Sequence, residues 1–422
     1  MYKFLIAIAL YLPFQLALNP AAGVDLASIR VLILTLFFAW LAQGLKNKKV
    51  EIKNNLQTWL IASFLFLNTL SIIAARNTDW SLRKLMFLFS IFPLYFVASQ
   101  AISSKEKALK VIKTLVFSGA AMALIGIVQF GAQFVVGLDK IYGIWAKFVI
   151  IPFLGESFGE AVLNNPSWLV NIGGHTYLRA TSLFPDPHML SFYLGLLMPL
   201  SLAIYLENKE KRAWNGVFFG AIFLADLLTF SRGGYLGIVA GLVFVGMFFW
   251  RKIEKKHKIM VGILALAGIM VMLVPSLVSQ RLFSSFDLKE GSNQGRLAMW
   301  EKATEVTLDK PILGTGIGNY PLEVLPTAVY REPIYAHNTY LDISAETGTL
   351  NAFVWIGILG ATFASFWKKS KKERIFFFAS VSLIVFAVHS VTETALYSPV
   401  VLSLFLIIIS LSNIELESEK TA

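Results

Sequence analysis

The sequence predicts an all-α integral membrane protein of about twelve transmembrane helices with two long outer loops, and three observations predict it. Of 422 residues, 56% are hydrophobic and only 15% charged, where soluble domains carry roughly a quarter. The apolar residues fall into runs that match the roughly 20 a helix needs to cross a bilayer core. The connections between runs alternate between Lys/Arg-rich and Lys/Arg-poor.

Lipid offers no hydrogen-bond partner to an open strand or loop, so such runs must be helical. The expected spans are 3–18, 27–45, 57–75, 85–101, 114–136, 188–206, 215–231, 234–250, 259–277, 347–367, 375–391 and 398–413. Met1-Tyr2-Lys3 and its apolar run resemble a signal peptide, but Ala17 to Ala22 leads straight into the next span, so the first helix is expected to be retained. Connections 46–55, 103–113, 207–214, 251–258 and 368–374 hold 21 Lys/Arg in 44 residues. Connections 75–84, 137–187 and 278–346 hold 12 in 130. This is the positive-inside bias, and it places both termini in the cytoplasm. The net charge of +11 therefore reflects topology and calls for no nucleic acid. The absence of cysteine excludes disulfides, thiolate metal sites and cysteine nucleophiles.

The expected organisation is helices one to five in 1–136, a loop with an interfacial segment in 137–187, and helices six to nine in 188–277. A large loop in 278–346, helices ten to twelve in 347–413 and a cytoplasmic tail in 414–422 complete it. Both long loops exceed what a connector needs. The first holds Tyr142, Trp145, Phe148 and Trp168, rings that suit the membrane interface. In the second, Leu297, Trp300, Thr304 and Leu308 recur at helical spacing before Pro311. A Gly-rich segment, Gly314 to Tyr320, fits neither dinucleotide nor P-loop spacing and reads as a tight turn. A helix begins near Asn338 and is expected to run on into the membrane.

Four polar patches face the Lys-poor side: Arg179 to His188, Ser231-Arg232-Gly233-Gly234, Gly295-Arg296, and Ala336-His337-Asn338 with Glu346-Thr-Gly348. A charge beside apolar spans usually faces the bundle interior and has a role. Guanidinium forks match phosphate oxygens and stay charged at physiological pH. Arg179, Arg232 and Arg296 together therefore point to an anion site. Histidine titrates near neutrality, which makes His337 the best candidate base. His175 and His188 face the same side, His257 lies in a basic connection, and His389 with Glu393 at i,i+4 spacing reads as a buried polar pair. Asp186 and His188 are two possible metal ligands with no third nearby, so no metal is expected. A secondary transporter is the competing class, but Asp226 and Pro199 are the only clear mid-span acid and breaker, thin support for it.

Taken in order, these patches resemble the O-antigen ligase and polymerase superfamily. The resemblance rests on Ser231-Arg232-Gly-Gly, Gly295-Arg296…Trp300, Pro311-Ile-Leu-Gly314-Thr-Gly-Ile-Gly318-Asn, His337-Asn338…Glu346-Thr-Gly348 and Arg179…Phe184-Pro-Asp186-Pro187, with His188 where many members have asparagine. It is specific over about 175–350. It implies a GT-C-like membrane fold and inverting, metal-independent and cofactor-free glycosyl transfer at the periplasmic face of a bacterial inner membrane. The implied donor is a glycan on undecaprenyl pyrophosphate. The implied acceptor is a glycolipid (the lipid A core), another glycan or a protein side chain. His337, Arg296 and Arg232 are the implied catalytic residues, with Arg179, Asn338, Asp186, His188 and Glu346 binding substrate and Glu346 orienting the His337 region.

Overall fold

In the computed structural model the described residues are 1–21, 24–207, 210–250, 276–284, 291–330 and 332–416. Six helices among them are long and apolar enough to cross a membrane: Ser28–Lys46, Leu56–Ala74, Thr78–Ala101, Lys105–Val136, Pro187–Glu207 and Thr349–Ser370. Four shorter apolar helices, Tyr2–Phe14, Arg232–Phe248, Arg374–His389 and Pro399–Asn413, pack among them. The class is an all-α membrane protein. Of the expected twelve spans, 215–231 is represented by a 17-residue helix, and 259–275 lies outside the described residues, as does the 251–258 connection with His257.

The chain opens with α1 (Tyr2–Tyr11), whose helix tightens into a 3-10 turn at Pro13 and stops short of the expected end at 18. Instead β1 (Ala17–Ala21) pairs antiparallel with β2 (Val24–Ala27). Then follow α2 (Ser28–Lys46) and α3 (Leu56–Leu70). On α2, Val31, Phe38 and Leu45 recur every two turns and stay exposed, the mark of a face turned to lipid. Helix α4 (Thr78–Ile91) starts earlier than expected because Asn77 caps the Trp80 amide and Asp79 meets the positive end of the helix. Pro93 kinks it into α5 (Pro93–Ala101). Ser104 likewise starts α6 (Lys105–Val136) nine residues before the expected 114. Its 32 residues span about 48 Å, well beyond a bilayer core.

The expected loop 137–187 folds into α7 (Leu138–Trp145), α8 (Ile151–Leu154), α9 (Glu156–Asn164) and a hairpin, β3 (Leu169–Ile172) with β4 (His175–Leu178). Indole N–H groups of Trp145 and Trp168 donate to the Ser182 and Pro185 carbonyls and hold the segment down. Next come α10 (Pro187–Glu207), α11 (Arg212–Leu228), α12 (Arg232–Trp250), α13 (Leu277–Phe283) and α14 (Gly291–Asp309). The expected helix at 297–308 is present, but Leu308 is exposed and the buried face is Ala303 and Val306. These small side chains let α14 pack closely on α16, introduced below.

The last elements are α15 (Tyr320–Val324), α16 (Thr339–Thr347), α17 (Thr349–Ser370), α18 (Arg374–His389) and α19 (Pro399–Ser410). Helix α19 is buried along nearly its whole length, against α5 and α10, and α18 lies between α10, α12 and α17. The Gly-rich segment is a turn in which Gly314, Gly316 and Gly318 all take positive φ. It buckles α16 to the α3–α4 corner: the Thr315 amide donates to the Ala345 carbonyl, the Ile317 amide to Ser71, and the Asn319 side chain to Ser81.

The expected single helix from Asn338 into the membrane is broken at Gly348. There φ is +90° and a Cβ would be driven into the Ile312 carbonyl. Gly348→Ala should therefore lower the thermal unfolding midpoint in detergent, with strain of about 1–3 kcal/mol plus the clash. Gly360→Ala, in the same helix α17 with open space around it, should not lower it.

Candidate active site

Three backbone features bring the polar patches together. Asn338 caps α16 by accepting from the Tyr340 and Leu341 amides, so its role in the fold is the helix start. The Thr339 amide donates to the Ser390 carbonyl and its hydroxyl to the Glu393 carbonyl, both within about 3 Å. The start of α16 is thus stitched to the α18–α19 connection. His337, just before the cap, sits at φ +51°, a conformation non-glycine residues hold only where their surroundings impose it.

That conformation puts His337 Nδ1 3.0 Å from both carboxylate oxygens of Glu393. Arg296 of α14 approaches the same carboxylate, with Nη2 4.0 Å from Oε2. The Glu393 side chain is only 4% exposed, while His337 keeps 30%. Asp342, one turn into α16, accepts from the Ala336 amide at 2.6 Å and from the Thr394 hydroxyl, bracing both ends of the stitch. Nδ1 is thereby committed to Glu393, and Nε2 has no hydrogen-bond partner among the described residues.

Arg232 opens α12, its Nη1 donating to Asn293 at 2.7 Å and its Nη2 to Ser284 at 3.0 Å. The next residue, Gly233, lies so close to Thr392 and His389 that a Cβ would collide with both. Arg232 is thereby held beside the segment that carries Glu393. Ser231 bridges two imidazoles, His188 Nδ1 at 3.0 Å and His389 Nε2 at 3.2 Å. His389 is stacked flat on Phe192, with centroids 3.6 Å apart. Asp186 caps α10 by accepting from the His188 and Met189 amides at 2.7 and 2.9 Å. Arg179 is buried under the end of α11, donating to the Thr229 and Ser167 carbonyls while Nη2 has no partner among the described residues.

The charges interact. Burial pushes the Asp186 carboxyl up to about 6, and the nearby Glu393 charge adds to it. Burial likewise raises Asp342 to about 6. Burial and the neighbouring Arg281 lower the Arg179 guanidinium to about 9, still charged at neutral pH. Burial works to lower His337, but the Glu393 charge and hydrogen bond outweigh it and hold the imidazole above its ordinary value. Burial works to raise Glu393, but His337 and Arg296 keep it below the usual carboxylate range. Arg179, Asp186, His188, Arg296, His337 and Glu393 thus form one electrostatic neighbourhood.

Glu346 lies elsewhere. It sits near the far end of α16, paired with Lys84 at 2.7 Å and accepting from the Tyr397 hydroxyl at 3.2 Å. The expectation that Glu346 orients His337 is corrected by this geometry: the carboxylate on His337 is that of Glu393. The expected His389–Glu393 pair is buried and electrostatically coupled, but not through helical spacing. Helix α18 ends at His389, so Glu393 lies in a turn and helical spacing does not govern it. Sequence reasoning missed Glu393 as a partner of His337, and also missed Asp342. The available signal was a carboxylate just past an apolar span, which has to be paired once buried. Exposed His175, on β4, is not part of the cluster. Among the described residues no three His, Asp or Glu side chains are grouped so as to hold a metal ion.

Because the His337 value is raised in the folded protein, the stability its pair with Glu393 contributes is fully present below about pH 6.5, the unfolded histidine value. It is lost as pH rises through the raised folded value. Glu393→Gln keeps the shape and removes the charge. In histidine-labelled protein, the His337 ring resonances of that variant should titrate at lower pH than in the parent.

Among known families, residues 216–356 match the model described as O-antigen ligase. No curated protein sequence matches the chain. The matched segment contains Arg232, Arg296, His337, Asn338 and Glu346 and runs from α11 into α17, while Arg179, Asp186, His188 and Glu393 lie outside it. The match covers about a third of the chain, and over that segment the chain is similar to the O-antigen ligase family.

Proposed function

We propose that this protein transfers a glycan from undecaprenyl pyrophosphate to an acceptor hydroxyl, with inversion and without a metal, at the periplasmic face of the bacterial inner membrane. It acts as an O-antigen ligase with the lipid A core as acceptor. The observation that carries the reading is the meeting of Arg296 and His337 on one buried carboxylate, Glu393, with Arg232 held alongside. The Lys-poor character of the connections that carry these residues supports the periplasmic side.

The acceptor oxygen attacks the anomeric carbon and gives its proton to His337 Nε2. The bond from that carbon to the pyrophosphate oxygen breaks on the opposite face, and the electron pair leaves with the oxygen. Glu393 stabilises the imidazolium that forms. Arg296 and Arg232, backed by Arg179, stabilise the charge growing on the departing pyrophosphate. Asp186, His188 and Asn338 shape the surrounding site, and Glu346 supports α16 from the far end through Lys84. Polymerases and protein O-oligosaccharyltransferases of the superfamily would differ in the acceptor.

Reconstitution with a lipid-linked glycan and candidate acceptors tests this directly. Arg296→Ala should cost about 10²–10³-fold in turnover, the usual effect of removing one preorganised donor. His337→Ala should cost about 10²–10⁴-fold with membrane insertion intact. Transfer needs neutral His337, so the rate should fall as pH drops through its raised value. Glu393→Gln should move that acid limb to lower pH while reducing the plateau. Near-parental transfer by His337→Ala, or loss of activity in EDTA restored by a divalent cation, would overturn the proposal. Sugar appearing on another glycan chain or on protein, and not on lipid A core, would overturn the ligase assignment.

A further inference from the structure

The far end of the bundle holds a cavity of about 260 Å³ lined by Lys113, Val116, Phe117, Ile204, Lys211, Asn215 and Phe218. Lys113 lies 16 residues before Gln129, whose amide bonds Thr181 beside Arg179, so along α6 the cavity is about 24 Å from that site. Its volume exceeds several-fold the roughly 30 Å³ a water takes in the liquid, enough for a phosphate and its first carbons.

The lining is of two kinds. Lys113, Lys211 and Asn215 are hydrogen-bond donors, and the buried Asn215 amide nitrogen has no partner among the described residues. The other four side chains are apolar, and Phe117 and Phe218 meet edge to face, 6.0 Å apart. Among the described residues no carboxylate lines the cavity. Glu207, which lies in the field of Lys113, is also in that of Lys105 and Arg374. Phe117 and Val217 are more than half exposed, so the apolar side opens on the lipid-facing surface. Trp214 is 68% exposed in the first turn of α11, and tryptophan favours the level of the headgroups. The flanking connections, 103–113 and 207–214, are two of the Lys/Arg-rich ones.

We propose that this cavity binds the phosphate headgroup of an anionic phospholipid from the leaflet opposite the transfer site, with its acyl chains lying over Phe117 and Val217. Two ammonium groups and an amide N–H meet the phosphate oxygens, and the aromatic pair covers the glycerol end. A zwitterionic lipid would bring its own cation against two lysines and is disfavoured. The site does not depend on the transfer reaction.

The test is native mass spectrometry of the full chain, delipidated in detergent and titrated with phosphatidylglycerol, phosphatidylcholine or inorganic phosphate. Phosphatidylglycerol should be retained most strongly. Lys113→Gln with Lys211→Gln should weaken it by about ten-fold or more. Lys113→Arg should retain it, as should Lys46→Gln with Lys48→Gln, which removes two charges away from the cavity. An unchanged thermal midpoint of the lipid-free double variant would show that the fold survives. If that midpoint falls, Asn215→Leu, which removes the buried donor and keeps the side-chain size, must show the same loss of phosphatidylglycerol. The proposal is overturned if the double variant binds like the parent or if Lys46→Gln with Lys48→Gln loses as much. Equal retention of phosphatidylcholine overturns it too, as does inorganic phosphate binding with no preference for the lipid.

Discussion

A carboxylate stripped of water has to find positive charge elsewhere, and the arrangement of this protein's polar residues follows from how Glu393 does so. Its two oxygens face His337 Nδ1, with Arg296 behind. An unpaired buried charge would cost several kcal/mol, so the start of α16, the α18–α19 connection and α14 are constrained to meet. The left-handed backbone at His337 and the Thr339 bonds to Ser390 and Glu393 are the local expression of that constraint. The same pairing decides chemistry, because it fixes which imidazole nitrogen is occupied and raises the pH at which the ring loses its proton.

The second organising fact is that the apolar helices have two kinds of neighbour. Helices α10, α18 and α19 are hydrophobic nearly all round and form the interior, whereas α2 and α17 keep exposed apolar faces that a bilayer would cover. Polar groups within this framework are held by specific partners. Arg179 lies under carbonyls at the end of α11, and Asp186 and Asn338 close helix starts. Capping residues at such positions are rigid, so the charges beside them are preorganised, as the proposed stabilisation of a departing anion requires.

Much of the site was legible because each patch is contiguous in the chain. Arg232 beside two glycines, Arg296 before a tryptophan and His337 before a helix-capping asparagine can each be read locally, and the family match spans all three. The Gly-rich turn was likewise legible as a turn, though not as the buckle between α16 and the α3–α4 corner. Helix starts were misjudged where a cap lay outside the apolar run, as at Asn77 and Ser104, because hydropathy reports where lipid begins and not where the hydrogen-bonded helix begins.

By itself the sequence determined the class of the protein, the uneven charge of its connections, and the short motifs that resemble those of a superfamily. Run length, loop charge and local spacing are properties a chain carries before it folds. Only the tertiary structure decided which carboxylate serves His337. Glu346 is nine residues away along the chain and is taken by Lys84, whereas Glu393 is 56 residues away and in contact. The end of α18 at His389 releases Glu393 from helical periodicity, and the close approach at Gly233 and Gly348 brings segments together that no local rule connects. Pairing of buried charge depends on where separate helices end in space, and that information is distributed over the whole packed bundle.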